Sequence, residues 1–204
     1  VAAIVLAAGA ATRMGRPKTT LLLEGRTLLD HVIDAALGSR LDEVVVVLRP
    51  DDRAARDVVA RRGDDRVRMA LAPDAHRGLG RSLAAGVAAL DDAVDAAAVL
   101  LADQPGVDAA LVERIVAAAA RTDRPAVRPV HEHGGERVPG HPVVLSRTLF
   151  ADAAALDGDA GARALWSDAP ERLEEIPVST PPAPDVDTPE DYRRLVAAPG
   201  GREA

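Results

Sequence analysis

Ala3-Ile4-Val5-Leu6-Ala7-Ala8-Gly9-Ala10-Ala11-Thr12-Arg13-Met14-Gly15-Arg16-Pro17-Lys18 is the stretch that decides the fold. Its first six residues are apolar without alternation, which suits a strand buried on both faces of a helix-covered parallel sheet. The rest is small-residue loop with two glycines and three cations. Outward from it, continuous apolar runs return at Val44-Val45-Val46-Val47-Leu48, more weakly from Val67 to Leu71, and at Ala97-Ala98-Val99-Leu100-Leu101. Helical spacing lies between them: Leu28, Leu29, Val32, Ile33, Ala36 and Leu37 form one amphipathic stripe, and Leu111, Ile115 and Val116 another. Arg53 to Arg62 and Ser82 to Leu90 read as further helices. Strand–helix repetition predicts an α/β protein with a doubly wound, mostly parallel, Rossmann-like sheet and right-handed crossovers.

The C-terminal half is more irregular. His131-Glu132-His133-Gly134-Gly135-Glu136 reads as a mobile polar loop, Val143 to Leu145 and Leu173 to Val178 as strands. The prolines of Thr180-Pro181-Pro182-Ala183-Pro184 exclude regular structure. Thr188-Pro189-Glu190-Asp191 is a helix start, with a threonine cap, proline at the first helical position and acids in the first turn. That helix should run to about Val196. One domain over 1–198 with a flexible tail at 199–204 is the expected organisation.

Composition excludes several classes of function. The 204 residues are 48% hydrophobic, enough for a core, but only 1% aromatic (Phe150, Trp166, Tyr192), so bases have little to stack on. A formal charge of −7 and a pI near 5.2 also argue against a nucleic-acid surface. The chain has no cysteine, which rules out thiolate metal sites and cysteine nucleophiles. No apolar run approaches the roughly 20 residues that span a bilayer. The apolar start runs into Gly9 without a basic flank, so it reads as a strand and not a signal peptide, and a cytoplasmic, non-membrane protein is expected.

Loops at the carboxyl ends of parallel strands are where such sheets bind ligands. In the loop after the first strand, small residues let backbone N–H groups approach phosphate oxygens while Arg13 and Lys18 supply charge. It is neither a Walker loop nor a G-x-G-x-x-G fingerprint. An ordinary glycine turn with solvated cations is the competing reading; the order Gly, Arg, Gly, Lys directly after a buried strand favours phosphate.

Leu6-Ala7-Ala8-Gly9, with Arg13-Met14-Gly15 and Lys18, resembles the signature of the MobA-like NTP transferases, most closely the molybdenum cofactor cytidylyltransferase branch. The resemblance runs nearly the whole chain. It takes in Leu101-Ala102-Asp103-Gln104-Pro105, Gly140-His141-Pro142, Gly158-Asp159-Ala160-Gly161-Ala162-Arg163 and Asp185-Val186-Asp187-Thr188-Pro189. The segment Ala72 to Ser82 departs from it, lacking the asparagine and aromatic that relatives carry before Gly78. The resemblance implies a nucleotidyltransferase fold, with an NTP-binding half of about 1–105 and an acceptor-binding half of about 106–198. Leu6, Ala7, Ala8, Gly9, Arg13, Gly15, Lys18, Gly78 and Ser82 would bind nucleotide, with Arg13, Lys18 and Asp103 catalytic. Gly140, His141 and Pro142 would line the acceptor site.

Asp103 follows a buried strand, so its carboxylate should emerge beside the basic loop; starting the next helix is its competing role. Magnesium takes a few carboxylates plus phosphate oxygens and water, and Asp103 and Asp187 are the expected Mg2+ ligands. Asp187 is not needed as a helix cap, because Thr188 is the better one. Asp185 would share its side of an extended segment but ranks lower. His131 and His133 lack a third ligand at metal spacing and read as solvated loop.

No nucleophilic side chain is needed if the acceptor's own phosphate attacks the α-phosphorus. The resemblance implies CMP transfer from CTP to molybdopterin, possession of a transient molybdoenzyme partner, and a monomer. Guanylyl transfer, or cytidylyl transfer to a sugar or polyol phosphate, shares the same chemistry. A non-catalytic cofactor carrier is the alternative from another class, but it would not need Arg13, Lys18, Asp103 and Asp187 together. Ala8, where the guanylyl branch reads glycine, and a wall from Leu21-Leu22-Leu23 would narrow the base pocket toward cytosine.

Overall fold

A computed structural model describes residues 1–9, 14 and 17–198. Its elements in chain order are β1 (Ala2–Leu6), β2 (Leu22–Leu23), β3 (Arg26–Thr27), α1 (Leu28–Leu37), β4 (Glu43–Leu48), α2 (Arg53–Ala60), β5 (Val67–Leu71), α3 (Leu79–Ala88), β6 (Ala96–Leu101), α4 (Ala109–Ala119), β7 (Ala126–His133), β8 (Glu136–Pro139), β9 (Val143–Ser146), α5 (Phe150–Ala154), β10 (Leu173–Val178) and α6 (Pro189–Ala197). One eight-stranded sheet runs β10-β7-β9-β6-β1-β4-β5, with β8 paired to β7. The β5-β4-β1-β6 stretch is parallel throughout, and β9 runs antiparallel to both of its neighbours.

The continuous apolar run of β1 is explained by two cores. Ala3, Val5 and Ala7 point into the layer formed by α1, α2 and α4, whereas Ile4, Leu6 and Ala8 point to that of α3 and α5. A strand alternates faces with period two, so a strand covered on both sides must be apolar at every position. With few aromatics, the layers close by tight aliphatic approach. Gly86 of α3 is one such place: a Cβ there would stand 2.5 Å from Ile4 Cγ2.

Helix starts follow their capping residues. Thr27 and Asp30 form a reciprocal capping box on α1, as Thr188 and Asp191 do on α6. Asp52 caps α2 and Asp108 caps α4 through their side chains. Helix α3 begins at Leu79, three residues ahead of its expected start at Ser82, because Gly78 ends the preceding turn with φ +123°.

One expectation is overturned. The polar run from His131 to Glu136 is not a loop: His131 and His133 end β7, Glu136 opens β8, and only Gly134-Gly135 turn between them. Both glycines have positive φ, which suits a two-residue hairpin connection. His131 is buried rather than solvated, with Nδ1 2.9 Å from the Thr180 carbonyl. Because a carbonyl only accepts, Nδ1 carries the proton of that bond. The ring also fixes its neighbour, since a Cβ on Gly140 would meet His131 Nε2 at 2.5 Å.

Candidate active site

The carboxyl ends of β1 and β6 open side by side, tied by the Ala102 N–H donating to the Leu6 carbonyl at 3.1 Å. Past β6 the chain turns at Asp103 and Gln104. The distant segment 185–187 is stitched to this turn by the Val186 N–H, 3.0 Å from the Asp103 carbonyl, with the Val186 side chain fully buried. The burial of Val186 leaves Asp185 and Asp187 on the opposite side of the extended segment, as period two requires. Pro17 leads into a single 3-10 turn, Lys18–Thr20, that carries the lysine.

These three elements converge. Lys18 Nζ donates to Asp103 Oδ2 at 3.2 Å and also bonds Asp187. Lys18 and Asp103 are less exposed than a surface loop implies, with side chains only 19% and 28% accessible. Burial works against both charges. It would lower the Lys18 pKa, but the bonds to Asp187 and Asp103 overcome it and raise that pKa above the usual lysine value. For Asp103 burial is the largest influence and prevails over the attraction of Lys18, so its pKa is raised. Both pKa values rise, but with opposite effect on charge: Lys18 is held protonated by two anions, whereas the Asp103 carboxylate has one shared cation and Asp185 nearby. Asp103 is thus short of positive charge.

A cavity of about 550 Å³ opens beside this cluster. Leu6, Ala7, Ala8, Gly9, Lys18, Ser82 and Asp103 all lie on its wall. Arg13 and Gly15 lie outside the described residues. Gly78 is not on the wall. Its missing side chain makes room for Gly158, whose carbonyl carbon a Cβ would meet at 2.3 Å. The Gly158-to-Arg163 stretch therefore docks on the start of α3: Gly80 N–H donates to the Gly158 carbonyl at 2.9 Å, and Arg77 pairs with Asp157. The wall expected from Leu21-Leu22-Leu23 is absent from the lining. Leu21 is buried in a small cluster with Met14, Leu28 and Val186, while Leu22 faces outward in β2.

Sequence reading missed the far end of this cavity, formed by Arg49, Asp51, Asp52, Arg53 and Ala54. These residues follow β4, and the rule that sheets bind ligands past their carboxyl ends could have found them. Thr19 Oγ1 donates to Asp52 at 3.3 Å, linking the Lys18 turn to the cap of α2.

A second cavity, of about 310 Å³, lies on the other side of the Asp103–Gln104 turn. Gly140, His141, Gln104 and Asp185 are on its wall, whereas Pro142 is buried behind it. Asp185 accepts from Gln104 Nε2 at 2.6 Å. Asp185 thus lines the smaller cavity, whereas Asp187 pairs with Lys18. Burial, the largest influence, lowers the His141 pKa from 6.5 to about 4, with Asp185 opposing and Arg128 adding. Between those values the unfolded chain takes a proton that the fold refuses. His141 therefore contributes stability that is complete above pH 6.5 and lost as pH falls toward 4. His141→Gln should flatten the melting temperature over that window, a difference of roughly 1–3 kcal/mol, measured by melting at a series of pH values. An unchanged pH slope would show that the fold does not resist protonation of His141.

A lysine held between two carboxylates at the edge of a parallel sheet, beside a cavity walled by the first strand's loop, defines an α/β protein of nucleotidyltransferase type. The chain belongs to the MobA-like NTP transferase family, whose domain model matches residues 3–175. It is 35% identical to nicotine blue oxidoreductase of Paenarthrobacter nicotinovorans over 96% of both chains. It is 31% identical to the purine catabolism protein PucB of Bacillus subtilis, over 93% of this chain and 92% of that one. Among solved structures it is similar to Rv0371c of Mycobacterium tuberculosis, with 29% identity, a TM-score of 0.81 and coverage of 96% and 97%. A manganese complex of Rv0371c also matches, at a TM-score of 0.77 and 29% identity over 97% and 98%. Among the described residues no helix is long and apolar enough to cross a membrane.

Proposed function

We propose that this chain transfers CMP from magnesium-bound CTP to the terminal phosphate of molybdopterin, releasing pyrophosphate. The observation that carries this reading is the convergence of Lys18, Asp103 and Asp187 beside the larger cavity. That cavity is lined by residues from Leu6 to Asp103, and the smaller one by residues from Gln104 to Asp185. This supports an NTP-binding half of about 1–105 and an acceptor-binding half of about 106–198.

The site fits a divalent cation. Among the described residues no three histidines or acids cluster. Two carboxylates already meet at one cationic point, however, and one of them is under-compensated. Magnesium needs few protein oxygens when phosphates and water complete its shell. Asp103 and Asp187 would hold it, and the manganese in Rv0371c supports a divalent ion here. Such an ion neutralises triphosphate charge and draws electrons from the α-phosphorus. The chain's own part is to position. Lys18 leaves the carboxylates for phosphate oxygens, and the strand-one loop and Ser82 hold the nucleotide. Arg13 supplies a second cation from the loop. A phosphate oxygen of the acceptor attacks the α-phosphorus in line, a new P–O bond forms, and the bond to the β-phosphate breaks with its electrons leaving on pyrophosphate. The substrates supply both nucleophile and leaving group, so the protein's contribution is orientation and charge.

Pyrophosphate release across the four NTPs, with and without molybdopterin, tests this reading. Release from CTP that depends on molybdopterin is expected; release from none of them would refute it.

Base choice follows from Ala8, which is buried yet borders the nucleotide cavity. Its methyl group narrows the space for a purine, a difference worth only ~1–3 kcal/mol. CTP should be preferred over GTP, and Ala8→Gly should relax that preference without reversing it. The measurement is kcat/KM for each nucleotide at saturating acceptor. A wild-type preference for GTP would overturn the base assignment alone.

A further inference from the structure

Asp103 is held by the sheet, but the charges it meets are not. Lys18 sits on a single 3-10 turn and Asp187 on an extended segment ahead of α6. Groups outside helices and strands keep a precise geometry only where packing locks the chain that carries them.

The packing is present, and it is separate from the two cores that cover the sheet. Met14, Leu21, Leu28 and Val186 are buried together in a small third core. Met14 adjoins Arg13 in the sequence, and Val186 adjoins Asp187. Leu21 closes the lysine turn through its N–H, which donates to the Lys18 carbonyl at 3.1 Å. Leu28 is the anchor: it begins α1, and its N–H donates to the Leu21 carbonyl at 2.9 Å.

Helix α6 completes this core from outside. Tyr192 and Leu195 are three residues apart, so they share a helix face, and both pack against it. The Tyr192 hydroxyl donates to the Leu22 carbonyl at 2.6 Å. Asp191, from the capping box of α6, accepts the Asp187 N–H at 3.2 Å. None of Met14, Leu21 and Val186 lines either cavity. They are instead the apolar neighbours of residues that do the chemistry.

We propose that this third core makes Met14, Leu21 and Val186 positioning residues: it locks the lysine turn and the Asp187 segment to each other and to the chain beside Arg13. Close-packed side chains transmit a displacement and do not absorb it, so a void opened under one segment shifts the others. Loss of any one of these apolar side chains is then felt as weaker metal and nucleotide binding, although none of them touches either ligand. This rests on Asp103 and Asp187 holding the metal and Lys18 the triphosphate.

Calorimetric titration of the full chain with manganese alone, and with Mg·CTP, tests it. Met14→Ala and Val186→Ala should each weaken both affinities by about fivefold, within the range of coupling between residues in contact. Met14→Leu, which keeps the volume, should restore both to within about twofold of the wild type. The double alanine variant should bind only about twofold more weakly than the worse single one, because the second void opens in a core already loosened. Thermal melting checks folding. Should Val186→Ala fail to fold, Leu195→Ala opens the same core from its half-buried rim and should weaken both affinities in the same way. A lowered melting temperature with both affinities unchanged would overturn the inference, since the core would then be structural only. So would losses that multiply in the double variant. If affinities are unchanged while CTP and molybdopterin still yield pyrophosphate, positioning fails and transfer stands. If affinities fall as expected and no NTP yields pyrophosphate, positioning stands and transfer fails. A wild type that binds neither manganese nor Mg·CTP refutes both.

Discussion

Asp103→Asn should lower metal-dependent turnover by at least ~10²-fold, the scale seen when one preorganised electrostatic contact is removed from a reacting centre. The substitution keeps shape and removes charge. Its large effect follows from position: the carboxylate sits at the end of β6, tied to β1 on one side and to Val186 on the other. It is desolvated enough that Lys18 alone does not satisfy it. Asp187→Asn should impair turnover less, since that side chain is the more exposed of the two at 38%. Losing the ion pair with Lys18 should shift stability by about 1 kcal/mol, within the range of ion pairs that solvent still screens. Initial rates of pyrophosphate release and thermal melting separate the two effects. Full activity in Asp103→Asn would remove the metal-site assignment.

Lys18→Ala should weaken Mg·CTP binding by about tenfold or more and slow transfer, because a compact ammonium beside a triphosphate is a charge-assisted contact in a partly dry site. It should also do something that a simple phosphate-binding lysine would not. In the free protein Lys18 occupies the point where Asp103 and Asp187 converge. Without it, a divalent ion no longer competes with an ammonium for those carboxylates, so manganese binding to the nucleotide-free protein should become tighter. Calorimetry with Mg·CTP and with manganese alone checks both signs. Unchanged CTP affinity would reject the phosphate role, and weaker manganese binding would reject the shared position.

Much of this site was legible in the sequence because its parts sit where periodicity is simple. The continuous runs of β1 and β6 require burial on both faces, and that places Gly9 and Asp103 at adjoining strand ends. Thr188-Pro189 fixes the start of α6 and so the extended approach of Asp187. What was not legible depends on contacts between remote segments. His131 looked solvated because it opens a polar, glycine-containing run that carries no sign of burial; the Thr180 carbonyl and the missing side chain of Gly140 decide it. Gly78 was a nucleotide-binding residue only by resemblance, and nothing in the sequence shows that its neighbour is Gly158, eighty residues away in the chain. The Leu21 wall failed because three consecutive leucines do not say which core each one joins. Gln104 stood inside a quoted motif, but its pairing with Asp185 joins segments far apart in the chain.

The most direct measurement is the anomalous signal of manganese in a crystal of this protein grown with CTP. The nucleotide-site assignment predicts one manganese bridging Asp103, Asp187 and phosphate oxygens, with Lys18 withdrawn from the carboxylates onto the triphosphate. Manganese and nucleotide bound elsewhere, with Lys18 still held between Asp103 and Asp187, would contradict it.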